Sequence, residues 1–488
     1  KFVSSNLSGA LTIPSTVMDE NNQYTFNVTA IDANSTVPNA TSVSIPNSVT
    51  TINANAFKGN NITSITIPAT VTDIKDGAFS QMKGLTSINV ESGSAKYSAT
   101  DGVLYENRSE GKFLISYPVA KQGTAYGVGG EEFTVPEGVV GIATNGFQCA
   151  ATLTRINLPT TLTQLPTTNE ANGFTSATNL KEIKVASGNT AFKDIDGVVV
   201  TSDGKKLIAY PNNKGGIVDA NYDAPTSIDP THAKAKGNYY EIPAGVETIA
   251  KGAFAQVQTI TAVKLKDVKK IEEGAFYSVR NLRNVEISAS VQEIADGAIS
   301  GTPDLLGLKV DAGNPYYTAD AEGVVYTKDF SELVLYPSGR TGEYTTHPNT
   351  KKIRNRAFYY AQKLTKITFN SGLEEIGNDV FQGAASLKEI EYEPTATLKK
   401  IGTFAFYGTG LEKLTIPASV EEIGWSAFSP TKLKSVEVEA NSNLKTIGRD
   451  AFANNPNLEE FKFLGETKLE TIETGAFKGN TKLKEFTI

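Results

Sequence analysis

Cysteine is all but missing from this 488-residue chain: Cys149 stands alone, so no intrachain disulfide can form and no thiolate cluster can hold a metal. Its setting, GFQCAATL, follows a repeating Phe, where a small buried hydrophobe is expected rather than a reactive thiol. The two histidines, His232 and His347, are far apart and lie in no H-x-x-x-H, H-E-x-x-H or triad-like setting; both read as surface loop residues. There is no P-loop and no G-x-S-x-G, and the GVGG at Gly127–Gly130 fits no strand-to-helix pattern. The expectation is therefore no enzyme and no cofactor. The first residue is not Met, and Lys1 is expected to follow a removed leader. No apolar run reaches membrane-spanning length. Basic runs are lacking too, and a net charge of -7 argues against nucleic acid or an anionic membrane as the main partner.

What the chain has instead is repetition. Ser64 to Ser80 reads SITIPATVTDIKDGAFS, and variations on it return about every 22 to 25 residues, the period of a leucine-rich-repeat coil. The first anchor is a strand of form L-x-x-I-x-I, from Ile62/Ile65/Ile67 and Leu85/Ile88/Val90 to Leu458/Phe461/Phe463 and Leu483/Phe486/Ile488, thirteen in all. The second is V-x-x-I, as in Val71/Ile74 and Val420/Ile423. The third is Ala-Phe shortly after that Ile, as in Ala275-Phe276 and Ala405-Phe406. Ala lets the turn pass close to the neighbouring coil, and Phe fills the space between the strand layers. Hydrophobic residues make up only 39% of the chain, which fits a thin core shared by stacked coils. The fold expected is a β-rich solenoid, a right-handed stack of about 13 coils, with the L-x-x-I-x-I strands in one continuous parallel sheet.

Three coils carry insertions, at about residues 91–138, 186–245 and 311–349. Each holds the same subunit: DGVLYENRSEGKFLISYP at Asp101–Pro118, DGVVVTSDGKKLIAYP at Asp196–Pro211 and EGVVYTKDFSELVLYP at Glu322–Pro337. Two alternating runs joined by a polar loop predict a β-hairpin, and a shared register predicts projection from one edge of the stack. Residues 1–45 read as a degenerate N-terminal coil or cap, and 46–488 as the solenoid. The acidic turns Asp194/Asp196 and Asp320/Glu322 could suggest calcium, but hairpin entry is the simpler reading, and no metal is expected.

Period-two alternation puts Ser64/Thr66 and their equivalents outside, a face with small hydroxyls early, mixed charges late and no aromatics in the thirteen segments. Exposed tyrosines would be needed to stack on sugars. Candidates are Tyr97, Tyr105, Tyr117, Tyr316, Tyr317, Tyr326 and Tyr336 in the insertions and Tyr277, Tyr359, Tyr360 and Tyr407 beside the repeat Phe. Packing each hairpin onto its coil is the competing role for the first group. Trp425 lies inside a repeat, which weakens the sugar reading.

The segments IPNSVTTINANAF, IPATVTDIKDGAF and IPASVEEIGWSAF, with the DG-V-hydrophobic-Y and YP hairpins, resemble the BspA-like leucine-rich-repeat surface proteins of Bacteroides, related bacteria and Treponema. The resemblance runs over nearly the whole chain from about Ser42. It departs in lacking a Cys three residues after the repeat Phe, where Asn60, Met82 and Ala150 stand. It implies a secreted or surface-anchored bacterial adhesion module that binds extracellular matrix or host or bacterial surface proteins, with no catalytic residues. Glycan recognition through exposed tyrosines is the alternative. The insertions are residues beyond what stacking needs, so the expected ligand contacts are Lys264, Glu286, Lys309, Lys366, Glu389 and Glu391 on the strand face, with Tyr317 and Tyr326 from the hairpin edge.

Overall fold

The computed structural model describes residues 8–487 apart from 22, 34, 36–38, 58–60, 127–128 and 225–234. His232 and Asn60 therefore lie outside the described residues. Among the described residues there are strands and turns but no helix. The chain divides into two units, Lys1–Gly215 with Ile249–Val257 and Gly216–Thr248 with Gln258–Ile488, each a stack of coils.

The coil follows from its anchors. Ser64–Ile67 pairs in parallel with Ser87–Val90, Ile65 opposite Ile88 and Ile67 opposite Val90. Side chains alternate across the strand, so Ile65 and Ile67 are buried while Ser64 and Thr66 face out. Pro68 ends the strand because it has no N–H to continue a ladder, and its carbonyl accepts from Val71 N–H at 3.1 Å. The chain turns back into the short V-x-x-I strand and then into the Ala-Phe turn. There the residue two past Phe takes positive φ in most coils: Gly383, Gly408 and Gly479 do so without strain, at 74°, 71° and 78°. The turns form a ladder of their own, with Phe381 N–H donating to Ala405 O at 2.7 Å and Phe406 N–H to Ala427 O at 2.8 Å.

Phe stacks on Phe behind that ladder. In the second unit the rings of Phe358, Phe381, Phe406, Phe428, Phe452 and Phe477 follow one another at centroid spacings of 4.7, 4.9, 5.0, 5.2 and 5.7 Å.

The insertions depart from expectation. Among the described residues the DG-to-YP hairpins do not project from an edge; they enter the stack. In the first, Tyr97–Thr100, Val103–Arg108 and Gly111–Ser116 form an antiparallel meander, and its last strand pairs in parallel with Val139–Ile142, continuing the V-x-x-I row. In the second unit Glu332–Leu335 likewise pairs with Lys352–Ile353 within a 9-stranded sheet. The physical reason is burial: Val103, Leu104, Tyr105, Phe113 and Leu114 are all inside. The Tyr of each YP then takes the place of the repeat Phe. Tyr117 stacks on Phe147 at 5.6 Å, Tyr210 on Phe254 at 4.9 Å and Tyr336 on Phe358 at 4.4 Å.

Each insertion also returns with a coil strand that the Leu anchor does not mark. Gly130–Thr134 pairs with Arg155–Leu158, Ala235–Glu241 with Ala262–Leu265, and Gly342–Thr345 with Leu364–Phe369. Gly130, Gly237 and Thr341 stand where Leu would be, so the stack holds more coils than thirteen. Nor do the L-x-x-I-x-I strands form one continuous sheet: each unit holds several shorter ones. The hairpin turn explains the breaks. Ile88 N–H donates to Gly102 O, and Ile183 N–H to Gly197 O, both at 2.9 Å, so the turn covers the strand edge that the next coil would pair. A Cβ at Gly102 would sit 2.8 Å from Ser87 Oγ, which is why this close approach needs glycine. A further break, between Glu389–Tyr392 and Lys413–Ile416, has no hairpin beside it, and nothing in the structure explains it.

At the N-terminal end Ser8–Thr12 pairs in parallel with Asn39–Ser44, and Ala30–Ile31 with Thr51–Ile52. Between them Thr16–Met18 and Thr25–Asn27 form an antiparallel pair, with Tyr24 and Phe26 exposed.

Candidate functional site

The coil-strand face of the second unit gathers three of the expected contacts into one row. Glu241, Lys264, Glu286 and Lys309 are directly opposite one another on successive strands, so charge alternates step by step across the sheet. They line a shallow groove of about 360 Å³ with Lys266 and Asp311 on its rim. The Lys264 ammonium lies 4.0 Å from the centroid of the Tyr239 ring, a cation–π contact that fixes its direction. Lys309 is exposed.

Lys366, Glu389 and Glu391 lie on another sheet of the same unit. Glu343, Lys366 and Glu389 are in register, and Lys366 Nζ is 2.7 Å from Glu391 Oε1 and 3.6 Å from Glu389 Oε1. The hydrogen bond to Glu391 raises the Lys366 pKa and lowers that of Glu391. Charge alternation alone does not mark a site, however. The V-x-x-I row carries the same pattern, with Lys399 paired to Glu374 at 2.8 Å and Lys445 to Glu421 at 2.9 Å. What sets the Lys264 row apart is its groove, since the in-register row Glu132, Arg155, Glu182 also has a tyrosine beside it, Tyr126.

Tyr317 and Tyr326 are corrected by the structure. They are 5% and 0% exposed, so neither presents a ring face to a ligand. The Tyr317 hydroxyl accepts from Ile294 N–H at 3.0 Å, covering the edge of the preceding V-x-x-I strand, as Tyr97 does for Ile74 at 2.9 Å. The Tyr326 hydroxyl bonds to that of Tyr344, which donates to Asp320 Oδ2 at 2.7 Å. Tyr97, Tyr105, Tyr117 and Tyr336 are buried as well, so of the insertion tyrosines named from the sequence Tyr316 alone is exposed. Asp320 and Asp194 are turn acceptors: Asp320 Oδ1 takes the amides of Glu322 and Val324, both at 2.9 Å. For Asp194 burial opposes ionisation, but the Val185 amide, Lys184 and the Gly197 amide outweigh it and lower the pKa.

Three readings of single residues and one of the strand face also change. Trp425 is 47% exposed and packs on Phe404 with ring centroids 4.9 Å apart, tilted by 50°. The strand face is not free of aromatics, because two insertion strands bring Tyr239 and Tyr126 to it; Arg155 lies over Tyr126 at 4.5 Å. His347 is half-buried and stacked on Phe330 at 4.0 Å. Cys149 is only partly buried, at the positive-φ turn position, with burial raising its thiol pKa.

Sequence reasoning missed Tyr239 and Glu241 because their strand lacks the Leu anchor. The signal was present: YYEIPAGVETIA keeps the strand-Pro-V-x-x-I order of coils such as SITIPATVTDI and KLTIPASVEEI.

That order is the repeat of a known family. A family model described as BspA type leucine rich repeat region, in 6 copies, matches residues 29–107, 126–196, 232–314 and 351–484. The chain belongs to the BspA-type leucine-rich-repeat family. Solved structures similar to this member include the pneumococcal vaccine antigen PcpA, at 18% identity over 100% of this chain and 85% of that one, TM-score 0.42. A leucine rich cell surface protein from Faecalibacterium prausnitzii is also 18% identical, over 99% and 87%, TM-score 0.42. A leucine-rich repeat protein from Bacteroides ovatus is 16% identical over 100% and 97%, TM-score 0.30. Among curated proteins no relative matches the chain. Among the described residues of this BspA-type chain, no helix is long and apolar enough to cross a membrane.

Proposed function

We propose that this chain is a non-enzymatic binding protein, secreted or held at a bacterial surface, that adheres to an extracellular protein through the coil-strand face of its second unit. Family membership supports binding as the general role. The observation that carries the choice of surface is the in-register row Glu241, Lys264, Glu286, Lys309 along an open groove. Alternating fixed charges suit a polar protein partner with complementary spacing and disfavour a partner of one sign, so they supply register and specificity more than raw affinity.

The test is a binding screen of the full chain against matrix proteins and host and bacterial surface proteins, followed by Lys309→Glu. Lys309 is exposed, so folding should be unchanged. The expected result is binding about tenfold or more weaker, with an affinity in the unaltered chain that falls as salt rises. A protein ligand bound equally well by Lys309→Glu and by Lys366→Glu would remove this face as the site.

A further inference from the structure

The third insertion does more than extend the stack. Ile353 reaches Phe358 through Arg354, Asn355, Arg356 and Ala357, whereas Leu333, its partner in the sheet, reaches Tyr336 through Val334 and Leu335 alone. The insertion coil thus lacks the outward Ala-Phe turn. Where that turn is missing, the flanking turns enclose a groove of about 410 Å³ lined by Tyr277, Arg280, Gly301, Tyr359, Tyr360 and Gln362.

Tyr360 is the telling residue. It sits at the turn position two past Phe, with φ 56°, where the adjoining coils place Gly301 and Gly383 and others carry Ser278, Gln256 or Asn454. A bulky side chain is penalised in that conformation, and Tyr360 is the largest side chain among the described residues at that position. The ring is not hidden in compensation: Tyr360 is 40% exposed. The coil beyond makes room for it, since a Cβ at Gly383 would lie 3.1 Å from the Tyr360 ring. The rings of Tyr359 and Tyr360 are 4.8 Å apart at 59°, so they form an angled wall rather than a closed stack.

We infer that this groove is a saccharide-binding site, separate from the charged strand face, in which Tyr360 and Tyr359 take the apolar C–H face of a pyranose and Arg280 and Gln362 take its hydroxyls. The class follows from the chemistry of the walls. A pyranose presents an apolar face ringed by hydroxyls, which matches the exposed Tyr360 ring and the half-buried Tyr359 ring bordered by a guanidinium and an amide, and the groove is of small-ligand size. A cationic ligand such as a quaternary ammonium is disfavoured, because Arg356 already lies 5.7 Å from the Tyr359 ring and Arg280 lines the same groove.

The experiment is a glycan microarray of neutral, N-acetylated, sialylated and uronic-acid oligosaccharides probed with the full chain. Calorimetry on the strongest array glycan then compares the unaltered chain with Tyr360→Gly, Arg280→Ala and Lys309→Glu. Tyr360→Gly should weaken binding about tenfold or more while leaving the melting temperature unchanged or raised, because glycine suits the backbone there. Arg280→Ala, at an exposed position, should also weaken binding, and Lys309→Glu should not. The inference is overturned if no array glycan binds, if binding survives Tyr360→Gly and Arg280→Ala, or if Tyr360→Gly lowers the melting temperature, which would make the ring structural.

Discussion

Truncating Phe406 to Ala tests the stacked-ring core most directly. The Phe406 ring is 0% exposed and lies between Phe381 at 4.9 Å and 11° and Phe428 at 5.0 Å and 3°. Removing a buried Phe costs about 3–5 kcal/mol through lost transfer energy and the cavity left behind. Offset stacking adds about 0.5–1.5 kcal/mol per aromatic pair, and part of that is already contained in the truncation cost. A loss of about 4 kcal/mol is therefore expected. In a stack of coils the loss should be local first, because each coil leans only on its neighbours. Hydrogen exchange reads this out: the amides of Phe381 and Phe406, bonded to Ala405 O and Ala427 O, should lose protection before those of Ser64–Ile67. Urea unfolding followed by aromatic circular dichroism gives the size, with Lys413→Ala on the exposed strand face as the reference, expected within about 0.5 kcal/mol of the unaltered chain. Equal effects of the two substitutions would refute the stacked-ring core.

Two further outcomes follow from the buried tyrosines. Burial pushes Tyr97, Tyr326 and Tyr336 up to about 12, against an ordinary value of 10.0. The folded state holds these protons more tightly than the unfolded one, so their contribution is complete below pH 10 and lost as pH rises toward 12; each is worth up to roughly 2–3 kcal/mol. Chemical denaturation at intervals from pH 9 to 12 should show that decline together with tyrosinate absorbance, and a flat profile would contradict it. Tyr105 and Tyr326 should respond oppositely to loss of the hydroxyl. The Tyr105 hydroxyl is buried with no hydrogen-bond partner, so Tyr105→Phe should be neutral or stabilising, whereas Tyr326→Phe breaks the bond to Tyr344 and should cost about 1 kcal/mol. Melting temperatures of the two variants decide it, and a larger fall for Tyr105→Phe would be the wrong sign.

The regular coils were legible because each anchor has one physical job. Ile65 and Ile67 must alternate to face inward, Pro68 must end the strand, and Phe79 must fill the gap between layers. The insertions were less legible because a hairpin signal is local: Val103 and Phe113 announce an antiparallel pair but not which sheet it joins. That is decided by partners distant in sequence, such as Val139–Ile142 for Gly111–Ser116. The same limit hid Tyr117, Tyr210 and Tyr336. A Tyr before Pro reads as a hairpin end, and only the stack reveals it as a continuation of the Phe column. On the strand face Lys264, Glu286 and Lys309 could be read from alternation, since period two fixes which side they occupy. Tyr317 and Tyr326 could not be placed, because alternation in a hairpin does not say which of its two faces the rest of the chain will cover.

Structural and binding roles for the insertions were opposed in the sequence, as though a buried hairpin could have nothing to do with a ligand. The geometry removes that opposition. A hairpin strand that joins the V-x-x-I row and hands over directly to Tyr336 cannot also make the Ala-Phe turn, so burying the hairpin necessarily removes one outward turn. The second insertion makes the same exchange, but there Asn172 Nδ2 donates to Gly252 O at 2.9 Å and Ser176 Oγ donates to Gln256 at 2.6 Å, linking the flanking turns. Beside the third insertion the turns are bridged as well, Asn355 Nδ2 donating to Asp296 Oδ2 at 2.7 Å and Arg356 to Glu273 Oε1 at 3.0 Å, yet Tyr277, Tyr359 and Tyr360 of the neighbouring turns also line an open groove. One device in the fold thus gives two outcomes, a bridged gap alone or a bridged gap with an aromatic groove beside it, and the side chains on the neighbouring turns decide which.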